Sequence, residues 1–238
     1  MTGMLASVQN LDEALLALAA GADIIDLKAP AAGSLGALSC EDIRRIVTQI
    51  QGRRPISATI GDLPMDPALV GEAAANMAAT GVDYVKIGFF PGGDWPGTIQ
   101  ALAPLAARGI RLVVVLFGDR QPDARHAAEL AEAGFAGAML DTMDKQQGSL
   151  TQVCTIDFLR DFVVKVKAHG LLCGLAGSLR SSDIPPLLEL KPDYLGFRGA
   201  LCRRHLRTAE LDADAVRTIR ALIPQSGLEP VLQHATTA

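Results

Sequence analysis

The chain is poor in aromatic side chains. Phe, Trp and Tyr make up only 4% of its 238 residues, so the stacking platforms that hold single-stranded nucleic acid are missing and the core must be aliphatic. Cysteine is sparse as well. Cys40, Cys154, Cys173 and Cys202 stand far apart without a CxxC pair, which gives neither metal-ligand spacing nor a disulfide framework. Cys173 lies in an apolar run and reads as a small buried hydrophobe. The histidines His126, His169, His205 and His234 are scattered, with no acidic partners at ligand spacing, so no metal is expected. No stretch approaches the roughly 18 uninterrupted apolar residues of a membrane span, and no basic segment leads into an apolar one at the N-terminus. A membrane partner is therefore not expected, and a cytoplasmic location is. No serine stands in a GxSxG elbow, which argues against a serine hydrolase. The net charge is −4, and the one dense basic cluster is Arg203, Arg204, His205 and Arg207. Nucleic acid is accordingly not an expected partner.

What the chain does have is repetition. Hydrophobic residues make up 49% and charged residues 20%, as in a soluble protein with a large core. Short β-branched or aliphatic runs recur at 4–8, 23–29, 55–61, 84–89, 111–117, 137–142, 171–178 and 194–200. Between them lie Ala/Leu-rich segments with helical spacing, near 10–20, 40–51, 67–80, 96–107, 122–133, 155–169, 181–190 and 209–222. Gly21, Gly81, Gly134 and Gly170 each stand just past a helical segment, where glycine closes a helix. Ser39, Pro67 and Ser181-Ser182-Asp183 mark helix starts. Eight βα units at this length predict an α/β fold of one domain, a single (β/α)8 TIM barrel over 1–224, followed by a C-terminal tail at 225–238.

In such a barrel the chemistry sits where strands hand over to the loops that follow them. Polar residues collect there: Asp26 and Lys28 on the second strand, then Ser57, Thr59 and Asp62 on the third. Lys86 ends the fourth, and Asp141 ends the sixth with Lys145 just beyond. Gly177-Ser178 end the seventh and Arg198-Gly199 the eighth. Strand parity turns Asp26 and Lys28 to one face while Ile25 and Leu27 take the other, so the charges point into the barrel mouth. Val85 and Ile87 place Lys86 inward in the same way, and Leu140 and Thr142 flank Asp141.

Two readings of these lysines compete. In one they are ion pairs, Lys28 with Asp26 or Lys86 with Asp141. In the other, desolvation and a neighbouring cation lower one amine so that it attacks a carbonyl, and the second lysine or an acid moves protons. Two lysines and two acids converging on one rim favour the catalytic reading, because a purely structural array would carry a heavy desolvation cost. Gly177, Ser178, Arg198 and Gly199 are expected to cradle a phosphate through backbone N–H groups, the Ser178 hydroxyl and the Arg198 charge. Gly33-Ser34-Leu35-Gly36 has the glycine pattern of a phosphate-binding or lid loop. Trp95 opens the segment after a Pro/Gly-rich loop and either lines the pocket mouth or packs on the barrel top.

These motifs resemble a known family. Gly21-Ala-Asp-Ile-Ile-Asp-Leu-Lys28 with Pro30 and Gly33-Ser-Leu-Gly36 resembles the second-strand motif of the (5-formylfuran-3-yl)methyl phosphate synthase family of methanofuran biosynthesis. Ser57-Ala-Thr-Ile-Gly-Asp62, Asp83-Tyr-Val-Lys-Ile-Gly88, Met139-Leu-Asp-Thr142 with Lys145, Leu175-Ala-Gly-Ser178 and Gly196-Phe-Arg-Gly-Ala200 continue the match in order, over about residues 4 to 222. The segment Met143–Gly148 departs from the archaeal pattern. The resemblance implies a cofactor-free lyase that joins two molecules of glyceraldehyde 3-phosphate. Lys28 would be the Schiff-base lysine and Lys86 the proton acceptor, with Asp26, Asp141 and Lys145 as supporting acid/base groups. Ser57, Gly177, Ser178, Arg198 and Gly199 would hold substrate and its phosphate. Two phosphorylated substrates imply two anion sites, to which Arg203, Arg204 and Arg207 are candidate contributors. The expected partners are triose phosphates and further copies of the chain in a homo-oligomer. A Schiff-base aldolase acting on a phosphorylated sugar, and a non-catalytic triose-phosphate binder, are the competing readings.

Overall fold

Helix starts are set by side chains that accept otherwise unpaired N–H groups of the first turn. Asn10 accepts from Glu13, Ser39 from Asp42, Asp66 from Leu69, Asp94 from Gly97 and Asp212 from Asp214 and Ala215. The helix ends are equally local: Gly21, Gly81, Gly134 and Gly170 adopt φ between 73° and 89°, the left-handed conformation that turns each chain into its next strand.

The computed structural model describes residues 1–123 and 126–224. Its strands are β1 (Gly3–Val8), β2 (Ile24–Leu27), β3 (Ile56–Thr59), β4 (Tyr84–Gly88), β5 (Leu112–Phe117), β6 (Gly137–Asp141), β7 (Leu172–Leu175) and β8 (Tyr194–Phe197). All pair in parallel, and β8 pairs with β1 to close the barrel. The helices are α1 (Leu11–Ala19), α2 (Cys40–Ile50), α3 (Pro67–Ala78), α4 (Trp95–Ala107) and α5 (His126–Glu132). They continue with α6 (Leu150–Val153), α7 (Ile156–Ala168), α8 (Ile184–Glu189) and α9 (Ala213–Ala221). This is the expected (β/α)8 barrel. α6 is an extra turn inside the β6 loop, and α9 begins later than expected. Residues 199–211 instead form two 3-10 turns and a bridge from Cys202 to Leu211, which hold a long loop over the barrel mouth. The expected tail at 225–238 lies outside the described residues.

Parity divides the apolar residues into two clusters. Ile25, Leu27, Val85, Ile87, Val114 and Leu140 pack outward beneath the helices. Leu5, Val113, Val115, Phe117, Met139, Ala176 and Tyr194 fill the bore. At the entry of three strands an aspartate repeats one device. Asp23, Asp83 and Asp193 each accept the N–H of a residue opening a neighbouring strand, Met4, Ile56 and Cys173, at 2.7–2.8 Å. These three aspartates at the N-terminal rim are therefore structural fasteners, and the polar residues at the C-terminal rim need a different account. Among the described residues no helix is long and apolar enough to cross a membrane.

Candidate active site

Asp26 lies at the centre of the polar bore. It is fully buried, and its carboxylate accepts from Ser7 Oγ at 2.8 Å, Ser57 Oγ at 2.6 Å and Lys86 Nζ at 2.9 Å. Burial works to raise this carboxyl, but the charges of Lys86 and Lys28, with the Ser57 and Lys86 hydrogen bonds, outweigh it and hold the group below its ordinary value. Asp141 repeats the arrangement one layer higher. Its Oδ1 accepts from Lys145 Nζ at 2.5 Å and from the Thr142 N–H at 2.7 Å. Burial again opposes ionisation, and Lys145, Lys28 and these hydrogen bonds prevail. Both carboxylates are ionised.

The pairing differs from both arrangements the sequence suggested. Lys86 takes Asp26 and Lys145 takes Asp141, which leaves Lys28 between two carboxylates that are already engaged. Lys28 Nζ is hydrogen-bonded to no described group; Asp141 and Asp26 act on it only through space. Burial lowers its pKa to about 8, partly offset by those two carboxylates and reinforced by Lys145 and Lys86. At pH 7 about a tenth of such an amine is neutral, against about one part in three thousand for an ordinary lysine.

Above these charges a cavity of about 370 Å³ opens at the C-terminal face. Lys28, Lys86, Asp141 and Lys145 line it, with Gly177, Ser178, Arg198 and Gly199. On the β7 and β8 loops, the N–H groups of Gly177, Ser178 and Gly199, which line it, and of buried Ala200 donate to no described residue. Gly177 is obligatory: its φ is 108°, and a Cβ there would sit 2.8 Å from the Thr142 nitrogen. Ser178 holds φ 50° beside it, and Arg204 and His205 hold φ 53° and 58° in the loop opposite. Non-glycine residues keep such angles only where the surroundings impose them.

Three expectations need correction. Ser57 is not a rim donor; its hydroxyl is spent on Asp26 deep in the bore. Arg198 brings no free cation. Its guanidinium pairs with buried Glu13, and all five N–H groups are used, on Glu13 and on the carbonyls of Ser7, Arg207 and Ala209. The open donors around Arg198 are the backbone N–H groups of Gly199 and Ala200. The Gly33–Gly36 loop binds no free anion either, because Asp62 already fills it, accepting from Ser34 N–H at 2.8 Å and Leu35 N–H at 2.7 Å. The loop is a plug. It seats fully buried Leu35 over Gly88, where a Cβ would stand 2.6 Å from the leucine methyl.

Arg207 and Arg180 supply the charge that Arg198 does not. Both line the cavity, and Arg207 is held over it by a 2.8 Å bond to the Gly33 carbonyl. Arg203 and Arg204 do not reach it. Trp95 does not line it; the indole donates to the Phe90 carbonyl and packs on Phe89. Sequence reasoning missed Ser7 and Glu13. Ser7 was readable from inward parity on β1, and Glu13 from an acid beside the apolar Ala14 and Ala17 of α1. Among the described residues no cluster of His, Cys, Asp and Glu could hold a metal.

A family model described as 4-HFC-P synthase matches residues 4–220. The chain belongs to this family. A candidate (5-formylfuran-3-yl)methyl phosphate synthase of Methylorubrum extorquens is 46% identical over 92% of each chain. The (5-formylfuran-3-yl)methyl phosphate synthase of Methanothermobacter thermautotrophicus is 34% identical over 92% of this chain and 98% of its own. Solved barrels are similar in fold alone. Phosphoribosyl anthranilate isomerase of Thermus thermophilus superposes with TM-score 0.66 at 17% identity, covering 93% of this chain and 98% of that one. The 3-hexulose-6-phosphate synthase of Salmonella typhimurium gives 0.64 at 19%, covering 92% and 99%. The 4-HFC-P synthase match takes in β1 from Met4, the seven other strands and both loops that carry the free N–H groups, so the whole candidate site lies inside the family's extent.

Proposed function

We propose that this member of the 4-HFC-P synthase family joins two molecules of glyceraldehyde 3-phosphate through a Schiff base on Lys28. The products would be (5-formylfuran-3-yl)methyl phosphate, inorganic phosphate and two waters, as a step in making a methanofuran-type cofactor. The observation that carries the proposal is the buried, unpaired amine of Lys28, lowered to about 8 between two carboxylates already tied to other lysines. An ion-pairing role would have bound it directly to one of them.

The geometry supports the following roles. The neutral Lys28 amine adds to the aldehyde carbon, and the resulting carbinolamine must lose water. Lys86 begins as an ammonium on Asp26 and gives its proton to the departing hydroxyl. The positive charge passes to the iminium, and Lys86 becomes the amine that removes the proton from the adjacent carbon. That returns Lys86 to the ammonium and leaves an enamine as the carbon nucleophile toward the second aldehyde. Lys145 and Asp141 serve the later proton transfers that accompany phosphate loss, ring closure and dehydration. The free N–H groups of Gly177, Ser178 and Gly199, with the Ser178 hydroxyl, would take one substrate phosphate, and Arg207 with Arg180 the other.

Incubation with glyceraldehyde 3-phosphate tests the proposal. It should release one phosphate per two trioses and build the ultraviolet absorption of a furan aldehyde, and Lys86→Ala should lower that rate by about 10² to 10⁴. A sugar phosphate product without phosphate release would make the protein an aldolase. Binding without turnover would make it a triose-phosphate binder.

A further inference from the structure

The opposite, N-terminal end of the barrel holds a second cavity, of about 240 Å³, which the proposed chemistry does not use. Its wall is formed largely by Leu5, Ile24, Tyr84, Val113, Leu172 and Tyr194. Gly174 makes the room for one ring, since a Cβ there would lie 2.3 Å from Tyr194. Tyr194 is 5% exposed, yet its hydroxyl is hydrogen-bonded to no described residue. Buried hydroxyls in folded proteins almost always have a partner, so this one points to something that completes it.

The mouth is cationic once its pairs are accounted for. Asp193 stands 3.0 Å from Lys167 and Asp23 stands 3.7 Å from Arg220, so both acids there are matched. Arg53 and Arg54 also line the cavity and have no carboxylate partner among the described residues. They donate to the Ile50, Gln49 and Ala22 carbonyls, which leaves Nη1 of Arg53 and both Nη groups of Arg54 unengaged.

We propose that this end of the barrel is a second ligand site, for a small molecule with one flat ring, an anionic group and a hydrogen-bond acceptor. The ring lies between Tyr84 and Tyr194, the anion meets Arg53 and Arg54, and the acceptor receives the Tyr194 hydroxyl. The size agrees: an engineered cavity of about 150 Å³ takes benzene, so this one holds a single ring with substituents. Lys86 and Leu5 line both cavities, so the ligand approaches the Lys86 layer from below without entering the substrate cavity.

Calorimetric titration of the full chain with 4-hydroxybenzoate, benzoate and phenol tests the site. Binding should fall in that order, since the second probe lacks the acceptor and the third the anion. Arg53→Ala/Arg54→Ala should weaken 4-hydroxybenzoate at least tenfold, Leu172→Trp should fill the bore and abolish binding, and Tyr194→Phe should erase the preference over benzoate. Leu172 and the two arginines lie at the surface end, so folding is checked by thermal melts alongside. Borohydride trapping of a triose phosphate on Lys28 should proceed with 4-hydroxybenzoate bound. No binding, binding untouched by both the arginine and Leu172 variants, or displacement by triose phosphate would each overturn the proposal. None of these outcomes bears on whether Lys28 forms a Schiff base.

Discussion

The chemistry proposed for Lys28 rests on what its neighbours do with their own partners. Asp26 and Asp141 are close enough to moderate the effect of burial but are held by Lys86 and Lys145, so the amine stays lowered and unbonded. On the proposed mechanism the neutral form attacks, so the rate of Schiff-base trapping should rise about tenfold per pH unit up to about pH 8 and level off above it. An ordinary lysine would keep rising to beyond pH 10. Stopped borohydride assays across pH measure this directly. A second contrast separates a structural cation from one that lines the cavity. Arg198→Ala strips buried Glu13 of its charge partner and should destabilise the fold by about 3–5 kcal/mol in denaturant titration. Arg207→Ala should leave stability nearly unchanged and raise the triose-phosphate KM at least tenfold. The sequence placed Arg198 at the end of the eighth strand and Arg207 in the basic cluster beyond it, but did not show which would be consumed. The deciding partner is Glu13, 185 residues away in the chain.

At the scale of the element, most of the architecture was legible. Strand parity alone sorted Asp26, Lys28, Lys86 and Asp141 inward from Ile25, Leu27, Val85 and Ile87 outward, because a barrel buried on both faces leaves each side chain only two directions. The loops were less legible, since their hydrogen bonds join residues far apart in sequence. The Gly33–Gly36 loop has the composition of an anion cradle, and Asp62, 27 residues on, makes it an internal one. Asp62→Ala should therefore cost about 1–3 kcal/mol through the stranded N–H groups of Ser34 and Leu35. Amide exchange should speed up over residues 29–36 first, as Leu35 leaves its seat over Gly88. A loop that bound substrate phosphate would instead lose affinity at constant stability.

Over the whole molecule, the two rims of the barrel divide the work. Aspartates at the N-terminal rim fasten strand entries, and four charges layered through the C-terminal half balance one another, with only Lys28 left unbonded. The 4-HFC-P synthase match covers this entire array, and its members are all legible in the sequence. The pairing is not legible there, and it leaves one lysine of three unbonded. The most direct test is therefore chemical. The protein is reduced with borohydride in the presence of glyceraldehyde 3-phosphate, digested, and the modified peptide located by mass. The account predicts a single adduct on Lys28, lost in Lys28→Arg. An adduct confined to Lys145 or Lys86, or none at all under turnover, would contradict it.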